Sequence, residues 1–165
     1  MNLIKWLPLL LVSFSIFASP VSSLNKQGEG EMNYLFWTLY QAEYFKNSSS
    51  ASNNHAKEAL RITYQKSISR QALINATHDQ WLKLGYKDEQ VSGWLTSLST
   101  IWPDVEPGDQ LTLVIKPSGH NEFYLYDRMI GSVPDEKFGE AFLSIWLSEN
   151  TSEPKLRKQL LGSQR

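Results

Sequence analysis

EMNYLFWTLYQAEYF, residues 31–45, is the stretch whose reading decides the fold. It is dense in aromatic side chains and carries neither glycine nor proline, a composition that favours an extended, half-buried backbone. Strict alternation sets Met32, Tyr34, Phe36, Thr38, Tyr40, Ala42 and Tyr44 on one face. Asn33, Leu35, Trp37, Leu39, Gln41, Glu43 and Phe45 then take the other. Both faces are apolar in the middle, so a single strand is expected here, covered on both sides or lining a cavity on one. A buried helix is the competing reading of so apolar a run; the strand is preferred.

Upstream, Gly28-Glu29-Gly30 reads as a flexible entry into this strand, because the remaining residues of a phosphate loop are missing. Downstream, residues 46–57 (KNSSSASNNHAK) form a polar, low-complexity loop. Ala59–Gln65 alternates again, with Leu60, Ile62 and Tyr64 opposite Arg61 and Thr63. Ser69 can cap a helix with Leu73, Ile74, Thr77, Trp81 and Leu84 on one side, stopped by Gly85. Asp88 can cap a second, with Val91, Trp94, Leu95, Leu98 and Ile101 at helical spacing, ended at Pro103. Gln110–Lys116, Glu122–Tyr126 and Met129–Val133 follow with short turns between them, an antiparallel meander. A helix beginning at Asp135 and a short one with Pro154 at an early position complete the chain. The order predicts an α+β fold with helices segregated against an antiparallel sheet.

The N-terminus reads separately. One charge at Lys5, an apolar run from Trp6 to Phe17 and the small residues Ala18 to Ser23 follow the pattern of a cleavable export signal. The run is shorter than the ~20 apolar residues of a spanning helix. Cleavage is expected after Ala18 or Ser23, the latter favoured because Pro20 crowds the former. The expected domains are a signal over 1–23 and one folded unit over 24–165, periplasmic or secreted, without a stable membrane anchor once the signal is gone. Removing 23 of the 165 residues takes away one lysine from 16 basic and 17 acidic groups, leaving 142 residues at net −2. That balance offers no general attraction to nucleic acid. The absence of cysteine excludes thiol catalysis, disulfide staples and zinc–thiolate sites.

No catalytic constellation stands out. His55, His78 and His120 have no metal-ligand spacing, and His78 and Asp79, adjacent on a helix, point apart. There is no Gly-x-Ser-x-Gly elbow, and Asp104, Glu106 and Asp109 read as a solvated turn. No metal or cofactor is expected. The aromatics are the unusual asset: Tyr40 and Tyr44 share a strand face, and buried tyrosine hydroxyls usually need a partner. Arg61 and Tyr64 lie on the next strand, on opposite faces. An arginine beside tyrosines can hold a carboxylate whose tail lies in a pocket; the competing reading is a surface arginine on an edge strand.

Several segments together resemble the bacterial branch of the chalcone isomerase-like family: GEGEMNYLFWTLYQAEYF, LRITYQKSIS, WPDVEPGDQLTLVIKP and FYLYDRMIGSVPDEKFGEAFLSIWLSENTSEPKLRKQLLG. Their order covers nearly all of residues 28–162. The resemblance implies an open-faced β-sandwich, a long antiparallel sheet packed against a layer of helices. It also implies an anion-stabilising arginine shortly after the Gly-x-Gly entry, as in the plant enzymes that close a chalcone to a flavanone. Here that stretch reads Glu29-Gly30-Glu31-Met32, with no arginine before Arg61. Where those enzymes place a tyrosine, this chain has Ile68-Ser69-Arg70, and Asn75 lies near the position of their asparagine. Other members bind fatty acids through an arginine and a tyrosine.

The expectation is therefore a non-catalytic binder of an apolar, fatty-acid-like or carboxylate-bearing small molecule. Tyr40, Tyr44, Arg61, Tyr64 and Asn75 are the candidate ligand-binding residues. An isomerase or intramolecular lyase is the first alternative, motivated by the resemblance. An envelope protein-interaction module, using the 46–57 loop or the basic tail, is the second.

Overall fold

Reversal, not continuity, is what the aromatic stretch builds in the computed structural model, which describes residues 18–47 and 56–162. β1 (Asn25–Tyr34) and β2 (Trp37–Lys46) form an antiparallel hairpin whose two turn residues are Leu35 and Phe36. The single strand expected over 31–45 is thus two. Tight hairpins are normally marked by Gly, Asn or Asp, which tolerate positive φ. Leu35 adopts φ 55° with no such residue to announce it. The apolar middle of the stretch is consequently exposed at the hairpin tip, not covered on two sides.

β3 (Glu58–Tyr64), β4 (Gln110–Ile115), β5 (Asn121–Leu125) and β6 (Arg128–Gly131) extend the hairpin into a six-stranded antiparallel sheet in sequence order. Between β3 and β4 lie α1 (Arg70–Lys83) and α2 (Asp88–Ile101); α3 (Phe138–Leu147) and α4 (Pro154–Leu160) follow β6. Ser69 caps α1 as its chemistry predicts, its Oγ accepting from Ala72 N at 3.2 Å. Asp88 is the first residue of α2, and Lys87 takes the cap position. Asp135 precedes α3 by three residues, accepting from Lys137 N and Trp94 Nε1, each at 2.8 Å.

Register pairs put Ala42, Ile62 and Leu111 in one row and Tyr44, Leu60, Leu113 and Phe123 in the next, facing the helices. Their core is aromatic: Trp81 lies 5.3 Å from Trp94 and 6.2 Å from Phe138 between ring centroids, and Phe142 meets Phe123 at 5.7 Å. The buried Trp81 indole is satisfied by Ala141 O at 2.8 Å. Gly28 and Gly30 face α4 so closely that a Cβ at Gly28 would sit inside the Gln159 and Leu160 carbonyls. The Gly-x-Gly entry is therefore a seat for a helix, where only a bare backbone fits.

The opposite face of the sheet holds a smaller cluster: Phe45, Ala59 and Val114 covered by Val21, from the turn that precedes β1. The apolar run of the expected signal and most of the 46–57 loop, with His55, lie outside the described residues.

Candidate functional site

A cavity of about 350 Å³ opens between the sheet and the helices. Its floor comes from adjacent strands: Met32 on β1, Leu39 and Tyr40 on β2, Ile62 and Tyr64 on β3. α1 supplies Ala72, Leu73, Ala76, Thr77 and Gln80, the small alanines at i and i+4 leaving room where larger residues would fill it. Trp102, just past α2, and Phe142, Ile145 and Trp146 of α3 close the far side, with Ser152 and Glu153 before α4. Small-molecule sites typically span about 300–1,000 Å³, so this one is at the lower end of a usable range.

Few polar atoms interrupt the apolar wall. Tyr40 and Tyr64 are cross-strand partners, their rings edge-on at 6.1 Å between centroids. Trp146 Nε1 donates to the Tyr40 hydroxyl at 3.0 Å. Burial raises the Tyr40 phenol to about 12, with the nearby Glu153 charge adding to the effect. Burial also pushes the Tyr64 phenol up, aided by Tyr40. Both are neutral hydroxyls at ordinary pH. Among the described residues nothing pairs with the Tyr64 hydroxyl, and the buried Trp102 indole N–H has no acceptor. Thr77 Oγ1 is used internally, donating to Leu73 O at 2.8 Å, and Ser152 Oγ donates to Gln80 Oε1 at 2.7 Å. Among the described residues Glu153 is the one carboxylic acid in the lining, and no arginine, lysine or histidine lines it.

Of the five residues singled out from sequence, the cavity brings together Tyr40 and Tyr64. Tyr44 faces the helices further along β2, outside the lining, and donates to Glu58 at 2.7 Å. Arg61 lies on the other side of the sheet, bonded to Ser19 Oγ at 2.8 Å, 3.7 Å from Glu43 and over the Phe45 ring at 5.4 Å. Asn75 is on the exposed side of α1, accepting from Gln71 at 2.8 Å. Sequence reasoning missed Trp102, Trp146 and Glu153. The Ala72/Ala76 spacing was the one local signal that α1 leaves space.

The two described histidines, His78 and His120, stand apart from the cavity. His78 meets Asp88 at 2.5 Å across the α1–α2 junction, and His120 lies 3.4 Å from Glu122. No group of three His, Cys, Asp or Glu side chains among the described residues is placed to hold a metal ion.

Three comparisons bear on this arrangement. A family model described as chalcone isomerase-like matches residues 24–162. An uncharacterized protein of Haemophilus influenzae is 29% identical over 147 residues, covering 88% of this chain and 71% of that protein. The crystal structure of a fatty-acid binding protein from Arabidopsis thaliana superposes with a TM-score of 0.68 at 13% identity, covering 91% of this chain and 92% of that one.

Proposed function

The chain belongs to the chalcone isomerase-like family, and from that premise we propose that it is a non-catalytic binder of an apolar small molecule held between sheet and helices. One observation carries the reading: the cavity is walled by apolar side chains and offers hydroxyl and indole donors without any cation among the described residues. Chemistry of the chalcone isomerase type builds negative charge, and each preorganised donor to such an anion is commonly worth ~10²–10³ in rate. In the stretch where the resemblance calls for an arginine, this chain turns Met32 into the cavity. Arg61, the first arginine after it, is on the far side of the sheet. The fold shared with a fatty-acid binding protein supports a ligand with an apolar chain.

The head of that ligand is the finer part of the proposal. A carboxylate would meet Glu153 and no counter-charge, whereas an ester, ketone or alcohol oxygen can accept from Tyr64 or Trp102. The reading therefore favours a neutral head over a carboxylate. Displacement of an environment-sensitive apolar dye by methyl decanoate tests it. Displacement that Tyr64→Phe weakens supports the reading, and no dye uptake at all removes it.

Export belongs to the same proposal. The charged start and short apolar run support a signal, and the packing of the preceding turn supports cleavage after Ala18 over Ser23. Val21 is buried on the outer sheet face and Ser19 bonds Arg61, contacts that removal of residues 19–23 would discard.

A further inference from the structure

The tip of the β1–β2 hairpin breaks two local rules at once. Tyr34, Leu35, Phe36 and Trp37 are 62, 76, 97 and 60% exposed, four consecutive large apolar side chains facing water. Of the other exposed large hydrophobics, Leu82 and Leu161 stand singly, while Tyr126, which also has positive φ at the β5–β6 turn near Met129, has its hydroxyl spent on Asp109. At the same place Leu35 holds φ 55°, a conformation that suits glycine or asparagine and that other side chains rarely adopt. An Asn-Gly turn would satisfy both solvation and backbone. This chain keeps Leu-Phe against both, and such concentrated violations mark function more often than accident.

The arrangement behind the apex is graded. Leu35 and Phe36 lead; Tyr34 and Trp37, paired across the hairpin, come next. Lys66 sits with its Nζ 4.3 Å above the Trp37 ring. Tyr34, Trp37, Lys66 and Leu39 border one shallow depression, and Leu39 continues into the wall of the cavity. We propose that this tip is a lipid-surface docking element: Leu35 and Phe36 enter the acyl region, Tyr34 and Trp37 lie at headgroup depth, and Lys66 meets the phosphates.

The order of polarity selects a bilayer over a protein partner. Apolar apex, amphipathic aromatics and a cation reproduce the sequence of environments from hydrocarbon to water. Four side chains at a hairpin apex also offer less than the ~800 Å² per partner of a stable protein interface. No helix among the described residues is long and apolar enough to cross a membrane. The docking does not depend on the cavity being occupied.

The test is co-sedimentation of the processed chain, recovered from an exporting host, with vesicles of phosphatidylcholine, with and without phosphatidylglycerol. The expected result is binding to both, stronger with the anionic lipid. The double substitution Leu35→Asn, Phe36→Gly should lower partitioning at least tenfold, since it removes two apolar side chains from the lipid, each a substantial contribution. Its thermal midpoint should stay close to the native one, because asparagine accepts the positive φ at position 35 more readily than leucine does. Phe36→Asp provides a second variant with an intact Leu35 backbone, and it should also lose vesicle binding. Lys66→Gln should remove only the increment due to phosphatidylglycerol. The proposal is overturned if the native chain stays in the supernatant, if the Asn-Gly variant binds vesicles as well as the native chain, or if the tip captures a protein while ignoring lipid.

Discussion

Replacing Tyr64 by phenylalanine should make the empty protein more stable and the loaded one weaker. Tyr64 is 5% exposed, with its ring against Tyr40 and its hydroxyl open to the cavity without a protein partner. A buried donor left unpaired costs ~1–3 kcal/mol; with the hydroxyl opening on a cavity, the low end applies. Tyr64→Phe should therefore gain about 1 kcal/mol, or roughly 2–4 °C in thermal midpoint for a domain of this size. The same hydroxyl donates to a ligand oxygen in the proposed complex, a bond worth ~0.5–1.5 kcal/mol, so affinity for methyl decanoate should fall about 2- to 10-fold. Tyr44→Phe is the matched control: its hydroxyl is already spent on Glu58 at 2.7 Å. That variant should lose about 1–2 kcal/mol of stability, leaving the carboxylate without its donor, with ligand affinity unchanged. Thermal denaturation and isothermal titration read both quantities. A Tyr64→Phe protein that is less stable than the native one, or that binds methyl decanoate equally well, would refute the assignment of this hydroxyl to a ligand.

Other consequences follow from the same geometry. Gly28→Ala should destabilise by about 1–3 kcal/mol, because its Cβ meets α4 backbone that has no rotamer to yield. Gly93→Ala, in α2 with open space around the site, should gain up to about 1 kcal/mol; denaturant midpoints distinguish the two. In alkali, stability should be flat below pH 10, the ordinary tyrosine value, and fall from pH 10 towards 12 as the unfolded state loses protons that buried Tyr40 and Tyr64 retain. Replacing both with phenylalanine should make that decline shallower in urea titrations at stepped pH, the remainder coming from Tyr44 and Tyr124, which burial also raises. Intact mass of the protein recovered from an exporting bacterial host should show Ser19 as the first residue; a chain beginning at Leu24 contradicts the role given to Val21.

Legibility from sequence followed chemical punctuation. Ser69, Gly85 and Pro154 announced helix ends because capping, positive φ and a missing N–H each demand particular residues. The hairpin was illegible for the converse reason: Leu35 and Phe36 carry no turn chemistry, so alternation ran straight through them. Gly28 and Gly30 signalled a special backbone, but the reason lies in α4, more than a hundred residues downstream. At the site, Tyr40 and Tyr64 were recoverable from strand phase, and the opposite placement of Arg61 follows from the same phase. Trp102, Trp146 and Glu153 were not, since each reaches the cavity from an element whose packing onto the sheet no local pattern encodes.

The central claim is that this cavity takes an apolar ligand with an uncharged head. Isothermal titration of the native chain at neutral pH with decanoate, methyl decanoate and decanol, which share their chain and differ in head, tests it most directly. The account predicts that the ester and the alcohol bind at least tenfold more tightly than decanoate, and that Glu153→Gln narrows the gap by favouring decanoate. Decanoate binding as tightly as the ester would contradict the neutral head, and binding by none of the three would contradict the cavity as a ligand site.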